Sequence, residues 1–276
     1  MNKLLAAFLL VPGLAFASSG GGRLDQAPVD THNIASLQRG AKVFVNYCLN
    51  CHSAAYMRYN RLQDLGLSAQ QIKDNLMFAA DKVGETMNVA MRTKDAAQWF
   101  GVAPPDLTVI ARSRGADWLY TYLRTFYRDS TRPTGWNNLA FQNVGMPHVL
   151  YGVQGIRPLT VVEVKETIDE KSGASTGYQR LTSTYDVNGA VQRKIESLTG
   201  NDHHGSIVYR WGEPVGGQLS PGQYDALVGD LVNYLVYMGE PSGNARVRIG
   251  IYTMLFLVVL IFVTWLLKRA YWKDVH

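Results

Sequence analysis

The sequence predicts a mainly α-helical domain with a β-rich insertion, followed by one transmembrane helix near the C-terminus. Three observations lead to this fold class. Apolar residues recur at helical spacing within residues 36–47 and 220–238, and apolar and polar residues alternate within residues 160–217. Residues 249–267 contain no charged side chain and are long enough, at about 1.5 Å per residue, to cross the hydrocarbon core of a bilayer.

The N-terminal residues indicate a signal peptide that is removed on export. Lys3 precedes an apolar run over residues 4–14, and residues 15–17 (AFA) have the small-x-small pattern after which a signal peptidase cuts. A short buried helix is the alternative, but a flexible stretch rich in serine and glycine follows directly. We therefore expect a signal peptide over residues 1–17 and a periplasmic domain over residues 18–245.

An amphipathic helix is predicted over residues 36–47. Ser36 is the expected N-cap, and the apolar side chains that follow lie on one helical face. Gly40 costs about 1 kcal/mol relative to alanine inside a helix, so it should mark a close crossing with another helix.

Both cysteines of the chain, Cys48 and Cys51, lie in one Cys-x-x-Cys motif with His52 directly after it. In an exported protein two such thiols form a strained local disulfide or bind a metal unless something else captures them. A zinc site would need at least two more ligands, and the other histidines show no ligand spacing. A thioredoxin-like dithiol would begin a helix inside a βαβ pattern, and no such pattern surrounds the motif.

Covalent attachment of one haem c is the interpretation that the motif favours. The two intervening residues let the thiols reach two edges of one macrocycle, and the adjacent His52 supplies an axial nitrogen to the iron. Because the sequence contains one such motif, we expect one haem.

Met146 is the candidate for the second axial ligand. It lies in a loop where Gly145 allows a close backbone approach and Pro147 stiffens the chain. An ordinary loop methionine is one alternative. His148 is a rival ligand, and coordination by two histidines would predict a lower reduction potential.

Residues 103–127 begin with a proline pair that blocks helix formation and end in a helix predicted from Asp117. Arg112 and Arg114 precede that helix. Solvated surface arginines are the simpler interpretation, but a buried haem carries two propionates, and an arginine fork suits a carboxylate.

The alternating segment, residues 160–217, predicts a β-hairpin or a short sheet. A peripheral excursion that stabilises the cover of the site is favoured over a dedicated docking surface. Residues 220–238 then form the last helix of the domain, with Ser220 as N-cap, Pro221 in the first turn and Gln223 completing a capping box.

The C-terminal anchor is predicted over residues 246–268, with basic and aromatic residues at its flanks and a cytoplasmic tail over residues 269–276. The isoelectric point of about 9.1 comes from the signal and the anchor, because residues 18–245 contain equal numbers of basic and acidic residues. A neutral exported domain gives no support for nucleic-acid binding.

The order of these segments resembles the cytochrome c1 family, the haem subunit of the cytochrome bc1 complex. The similar pieces are "SLQRGAKVFVNYCLNCHSAAYMRYNRL", "APPDLTVIARSRG", the "GMP" of the loop, and the terminal helix through "YMGEP" into a single span. The resemblance covers most of residues 36–150 and the chain from about residue 220 onward. Residues 160–217 depart from the family's usual layout.

This resemblance implies specific roles for several residues. Cys48 and Cys51 would bind haem, His52 and Met146 would ligate its iron, and Arg114 would pair with a propionate. The pocket would be lined by Pro104, Pro105, Leu107, Ile110, Trp118 and Leu123.

The resemblance also implies partners and a location. Electrons would pass from a Rieske iron–sulfur protein to a soluble or membrane-attached cytochrome c, within a dimeric complex that contains cytochrome b and serves a proton-translocating respiratory chain. The chain would cross the bacterial inner membrane once, and it would not be an enzyme by itself. A haem enzyme or gas sensor with an exchangeable sixth position, and a subunit of an oxidase, remain as alternatives.

Overall fold

The computed structural model describes residues 24–168, 175–199 and 206–273. The predicted signal peptide and the last three residues of the predicted tail lie outside this part of the chain. The α-helices are α1 (Ile34–Val43), α2 (Ala69–Leu76), α3 (Thr93–Phe100), α4 (Ile110–Arg114), α5 (Ala116–Arg124), α6 (Tyr151–Gln154), α7 (Pro221–Gly239) and α8 (Gly243–Tyr271). The strands are β1 (Ala54–Arg58), β2 (Thr86–Met87), β3 (Phe126–Arg128), β4 (Trp136–Asn138), β5 (Leu159–Ile168), β6 (Ser175–Tyr185), β7 (Val191–Leu198) and β8 (Ser206–Trp211).

The first and last helices of the domain, α1 and α7, pack directly on each other. Gly40 lies at the crossing, where an added Cβ would overlap the carbonyl oxygen of Asp230 and come within 2.6 Å of the Tyr234 Cβ. The predicted close crossing is thus confirmed. Arg39 and Asp230 form an ion pair beside it, with 2.5 Å between Nε and Oδ2.

Helix α7 begins as its sequence predicts. Ser220 caps it, and the side chain of Gln223 returns to the Ser220 backbone to complete the capping box. The other predicted cap is wrong, because α1 begins at Ile34 and its N-cap is Asn33, whose side chain accepts from the backbone nitrogen of Ser36. Asparagine is as good a cap as serine, so two candidates three residues apart could not be separated by residue type.

A long apolar helix, α8, follows α7 after a short turn. It spans Gly243–Tyr271 and is long and apolar enough to cross a membrane. Its large apolar side chains are exposed, including Phe256, Ile261 and Phe262. A helix of this kind fits a lipid environment rather than the core of a soluble protein.

The segment after α6 forms a four-stranded antiparallel sheet with strand order β7-β6-β5-β8. Strands β5 and β6 are the two alternating runs that the sequence predicts, while β7 and β8 add an edge on each side. Short contacts tie the sheet to the helical part, since the Tyr127 and Tyr185 rings meet edge to face at 4.7 Å and Ser130 donates to the Gly189 carbonyl. The sheet is therefore joined to the helical part through β3 and the turn that follows it.

Candidate functional site

Between α1 and the cysteine motif, the helix widens into a single π-helical turn, Phe44–Cys48. The Leu49 amide donates to the Phe44 carbonyl, five residues back, and the Cys51 and His52 amides both donate to the Cys48 carbonyl. Such turns are frequent at functional sites because they alter which way the following side chains project. Here the π turn ends at Cys48, and the hydrogen bonds to the Cys48 carbonyl keep Cys51 and His52 close to it.

The two thiols have different surroundings. Cys48 is buried in the core cluster, and burial, with a smaller contribution from Cys51, raises the pKa of its thiol to about 12. Cys51 is half-buried, and burial raises its pKa as well. It lies at a cavity of about 470 Å³, whose wall includes Ala103, Pro104 and Asp106. The structure thus places one thiol in apolar packing and the other at an opening.

His52 is held in a defined orientation. Its Nδ1 donates to the Pro105 carbonyl oxygen at 2.7 Å, which leaves the lone pair on Nε2. Burial lowers its pKa, although the bond to Pro105 and the nearby Asp106 charge act in the opposite direction. A neutral imidazole with a free Nε2 is the form that ligates a metal.

The predicted pocket residues at the proline pair contact this motif. Pro104 lines the cavity with Cys51, and Pro105 accepts from His52. The Leu107 amide donates to the Ser53 carbonyl at 2.8 Å. Leu107 and Ile110 are partly buried and pack against the core cluster that contains Cys48.

One face of α5 carries the next part of the site. Trp118 and Tyr122, four residues apart, stack with ring centroids 4.8 Å apart and an angle of 10° between their planes. The Arg114 guanidinium lies 5.2 Å from the centre of the Trp118 ring and 6.0 Å from that of Phe141. The Tyr122 hydroxyl donates to Met146 Sδ at 3.3 Å. These contacts form a column from Arg114 to the methionine sulfur.

Arg112 and Arg114 face different neighbours. Arg112 lies against Gly239 and pairs with Glu240 at the end of α7, with 3.5 Å between Nη1 and Oε2. Only Arg114 joins the column that leads to Met146.

The Met146 loop is fixed by two buried asparagines of β4. Asn137 Oδ1 accepts from the backbone nitrogen of Asn143, which has a left-handed φ of 60°. Asn138 Oδ1 accepts from the amides of Ala140 and Phe141, while its Nδ2 donates to the Tyr122 carbonyl at 2.7 Å. The loop and α5 are therefore joined through one side chain.

His148, the rival ligand, is buried in the core. Its ring stacks on Phe126 at 4.8 Å and lies edge to face with Trp136 at 5.2 Å. Its Nε2 makes a 2.6 Å hydrogen bond with Gln154 Oε1. Burial lowers its pKa to about 4. These contacts give the imidazole a packing role beneath the loop.

Sequence reasoning missed Tyr122, Asn137 and Asn138. Trp118 and Tyr122 are four residues apart, and this separation indicates a shared helix face. No pattern signals the asparagines, because their partners are set by the tertiary fold. Leu123, predicted in the pocket, is buried in the same core cluster as Cys48 and Val144.

The residues present fit a haem attached by the motif. The donor set comprises two thiols, an imidazole with Nε2 free and a thioether, which is the set that c-type attachment with histidine and methionine ligation requires. Within the described part of the chain, no group of three or more His, Cys, Asp or Glu side chains could hold a metal ion. The zinc alternative thus gains no support from those residues.

Comparison with known proteins finds relatives over the full length. The sequence matches the Cytochrome C1 family over residues 25–154. It is 45% identical over 279 residues to cytochrome c1 of Allochromatium vinosum, with 100% of both chains covered. It is 44% identical over 273 residues to the ammonia monooxygenase gamma subunit of Nitrosomonas europaea, covering 99% of this chain and 97% of that one. Cytochrome c1 of Rhodospirillum rubrum is 24% identical over 100% of this chain and 99% of its own. This chain therefore belongs to the cytochrome c1 family.

Proposed function

We propose that this chain passes electrons from a Rieske iron–sulfur protein to a soluble or membrane-attached cytochrome c at the periplasmic face of the bacterial inner membrane. As a family member it binds one covalently attached haem c and is an electron-transfer subunit of the cytochrome bc1 complex, with cytochrome b, rather than an enzyme by itself. Family membership alone does not supply the rest of the proposal. The proposed parts are the Rieske protein, the acceptor cytochrome and a dimeric complex.

The observation that carries the proposal is the arrangement around His52. Cys48 and Cys51 would hold the haem through thioether bonds, His52 would offer Nε2 to its iron, and Met146 would offer its sulfur as a second ligand. The haem supplies a reversible one-electron change when bound. The Pro105 carbonyl accepts from His52 Nδ1 and so fixes the orientation of the ring. The direction in which Nε2 points is fixed with it.

Arg114 is proposed to pair with a haem propionate. Its side chain is exposed and lies over the Trp118 ring, and a planar guanidinium can make two parallel bonds to a carboxylate. Pro104, Pro105, Leu107, Ile110, Trp118 and Leu123 would form the apolar walls. An apolar wall excludes water and so influences the reduction potential of the site.

Occupation of both axial positions by His52 and Met146 would leave no position for a substrate or a gas. This distinguishes an electron carrier from the haem enzyme or sensor considered above. Prompt and stoichiometric binding of carbon monoxide to the reduced protein would favour the enzyme or sensor. The electron carrier predicts that carbon monoxide does not bind in this way.

The proposed orientation rests on the two ends of the chain. A cleaved signal over residues 1–17 would export the domain, and α8 would then cross the bilayer and leave its C-terminal end in the cytoplasm. Accessibility of the domain to protease in intact cells after removal of the outer membrane tests this. Protection of the domain under those conditions would contradict it.

The ligand assignment is tested by Met146→Ala in the full-length protein, with Met77→Ala as a matched control. Met77 is partly buried at the end of α2 and contacts the core without lying in the loop. We expect the methionine-to-iron charge-transfer band to disappear in Met146→Ala and to persist in Met77→Ala. A band that survives Met146→Ala would refute the assignment.

The assignment of partners needs a separate experiment, because one close relative carries the name of an ammonia monooxygenase subunit. The native assembly should copurify with a b-type cytochrome and an iron–sulfur protein, and it should reduce cytochrome c when quinol is supplied. An assembly that lacks both partners would contradict this part of the proposal.

A further inference from the structure

We infer that Tyr122 is a positioning residue for the axial methionine: its hydroxyl holds one lone pair of Met146 Sδ and directs the other toward the haem iron. The inference rests on the proposed role of Met146 as a ligand. It goes beyond that role, because it assigns the tuning of the sulfur to a named side chain on α5.

The contact itself is direct. The Tyr122 oxygen lies 3.3 Å from Met146 Sδ. A thioether sulfur carries two lone pairs and is a weak hydrogen-bond acceptor, whereas a phenol is a good donor. One lone pair can accept from Tyr122 while the second binds a metal. The hydroxyl therefore selects which side of the sulfur is available.

Tyr122 is well suited to this task because its ring cannot move freely. It stacks on Trp118, and Phe126 meets it edge to face with ring centroids 5.0 Å apart. Its backbone carbonyl accepts from Asn138, which also binds the loop amides of Ala140 and Phe141. Asn138 thus fixes Tyr122, the donor, relative to the loop that carries Met146, the acceptor.

The hydrogen bond should change the chemistry of the sulfur as well as its position. A donor on one lone pair withdraws electron density from the sulfur and weakens its donation to iron. Ferric iron depends on that donation more than ferrous iron does, so the bond favours the reduced state. Removing the hydroxyl should lower the reduction potential.

The test is Tyr122→Phe in the full-length, haem-loaded protein. The change removes only the hydroxyl and keeps the ring that stacks on Trp118. Tyr120→Phe is the matched control, since Tyr120 is a similarly buried tyrosine on the same helix whose ring instead faces Arg124 at 4.4 Å.

We expect Tyr122→Phe to shift the methionine-to-iron charge-transfer band and to lower the midpoint potential. At a fixed ambient potential the ratio of ferric to ferrous protein should rise by up to about tenfold, because the difference in the hydrogen bond between the two oxidation states cannot exceed the net value of one hydrogen bond. Tyr120→Phe should leave both properties at the wild-type values. If Tyr122 only stabilised the fold and left the sulfur–iron bond unchanged, its substitution would not move the energy of the band.

Tyr122→Phe with band and potential indistinguishable from Tyr120→Phe would overturn the inference. Met146→Ala separates this failure from failure of the proposed function. If Met146→Ala abolishes the band while Tyr122→Phe changes nothing, the ligand is correct and only the role of Tyr122 is wrong. If the band survives Met146→Ala, the ligand assignment fails and the inference fails with it.

Discussion

At Asp129 a single buried carboxylate supports the turn between β3 and β4. It accepts from the Thr131 hydroxyl at 2.6 Å, from the Thr131 amide and from Asn137 Nδ2 at 3.0 Å. Burial alone would raise its pKa, but these hydrogen bonds and the Arg132 charge lower it below the ordinary value. Since Asn137 in turn holds Asn143 of the Met146 loop, Asp129 supports the site through its neighbour.

Replacing Asp129 with Asn should lower the free energy of unfolding at pH 7 by about 1–3 kcal/mol, because it removes a charged acceptor from buried donors. The native carboxylate has a lowered pKa, so its stabilisation is present above the unfolded value near 3.8 and is lost as pH falls through the folded value. The difference between wild type and Asp129→Asn should thus shrink below about pH 4.

Denaturant titrations at several pH values would measure this difference, with Asp74→Asn on the exposed face of α2 as the control. A difference that stayed constant down to pH 2, or one as small as that of the control at pH 7, would show that Asp129 does not stabilise the turn in this way.

Individual residues also show where sequence reasoning succeeds and where it stops. The cysteine motif is local, so the proposed roles of Cys48, Cys51 and His52 follow from their spacing alone and remain predictions. Tyr122 contacts a residue 24 positions away, and Asn138 contacts one 16 positions away. Such contacts depend on how α5, β4 and the loop meet, which no single segment encodes.

Among the elements, helices α1 and α7 pack on each other, and the π turn that leads into the motif directly follows α1. Helix α7 could be predicted well because its capping box and its apolar face are both local signals. The π turn after α1 could not, since it depends on a hydrogen bond from Leu49 to Phe44 that competes closely with the regular helical one. The edge strand β8 was missed because its partner β5 is distant in the chain, whereas β7 was missed although it directly follows its partner β6.

Gly40→Ala should destabilise the α1–α7 crossing strongly. The new methyl group would overlap the Asp230 carbonyl oxygen, which is backbone and cannot swing aside. We expect a loss of roughly 2–4 kcal/mol in the free energy of unfolding, at or above the usual cost of overpacking. Thermal unfolding followed by circular dichroism would measure it.

Gly222→Ala is the control for Gly40→Ala. Gly222 lies in the first turn of α7, and within the described part of the chain no atom beyond its neighbours and the nearby backbone of its own helix lies within 4 Å of an added Cβ. The same chemical change should be neutral or slightly stabilising there, because alanine favours a helix over glycine. Equal effects at the two positions would contradict the role assigned to the crossing.

Across the whole molecule, the helical part presents the motif, the four-stranded sheet is inserted in it between α6 and α7, and the apolar helix α8 follows α7. The formal charge of +5 lies in the segments at the two ends, so the domain itself has no net field to attract a partner. Any steering of an acceptor cytochrome must therefore come from a local patch of charge. The sequence could predict the anchor and the charge balance because both depend on composition rather than on contacts.

The most direct test of the account is whether the haem remains on the polypeptide after denaturation. The full-length protein would be extracted with acidified acetone, and the pigment would be measured in the protein pellet and in the solvent. The account predicts that the pigment stays with the wild-type pellet and that the double variant Cys48→Ala/Cys51→Ala releases whatever haem it holds. Release of the haem from the wild-type protein would contradict covalent attachment at Cys48 and Cys51.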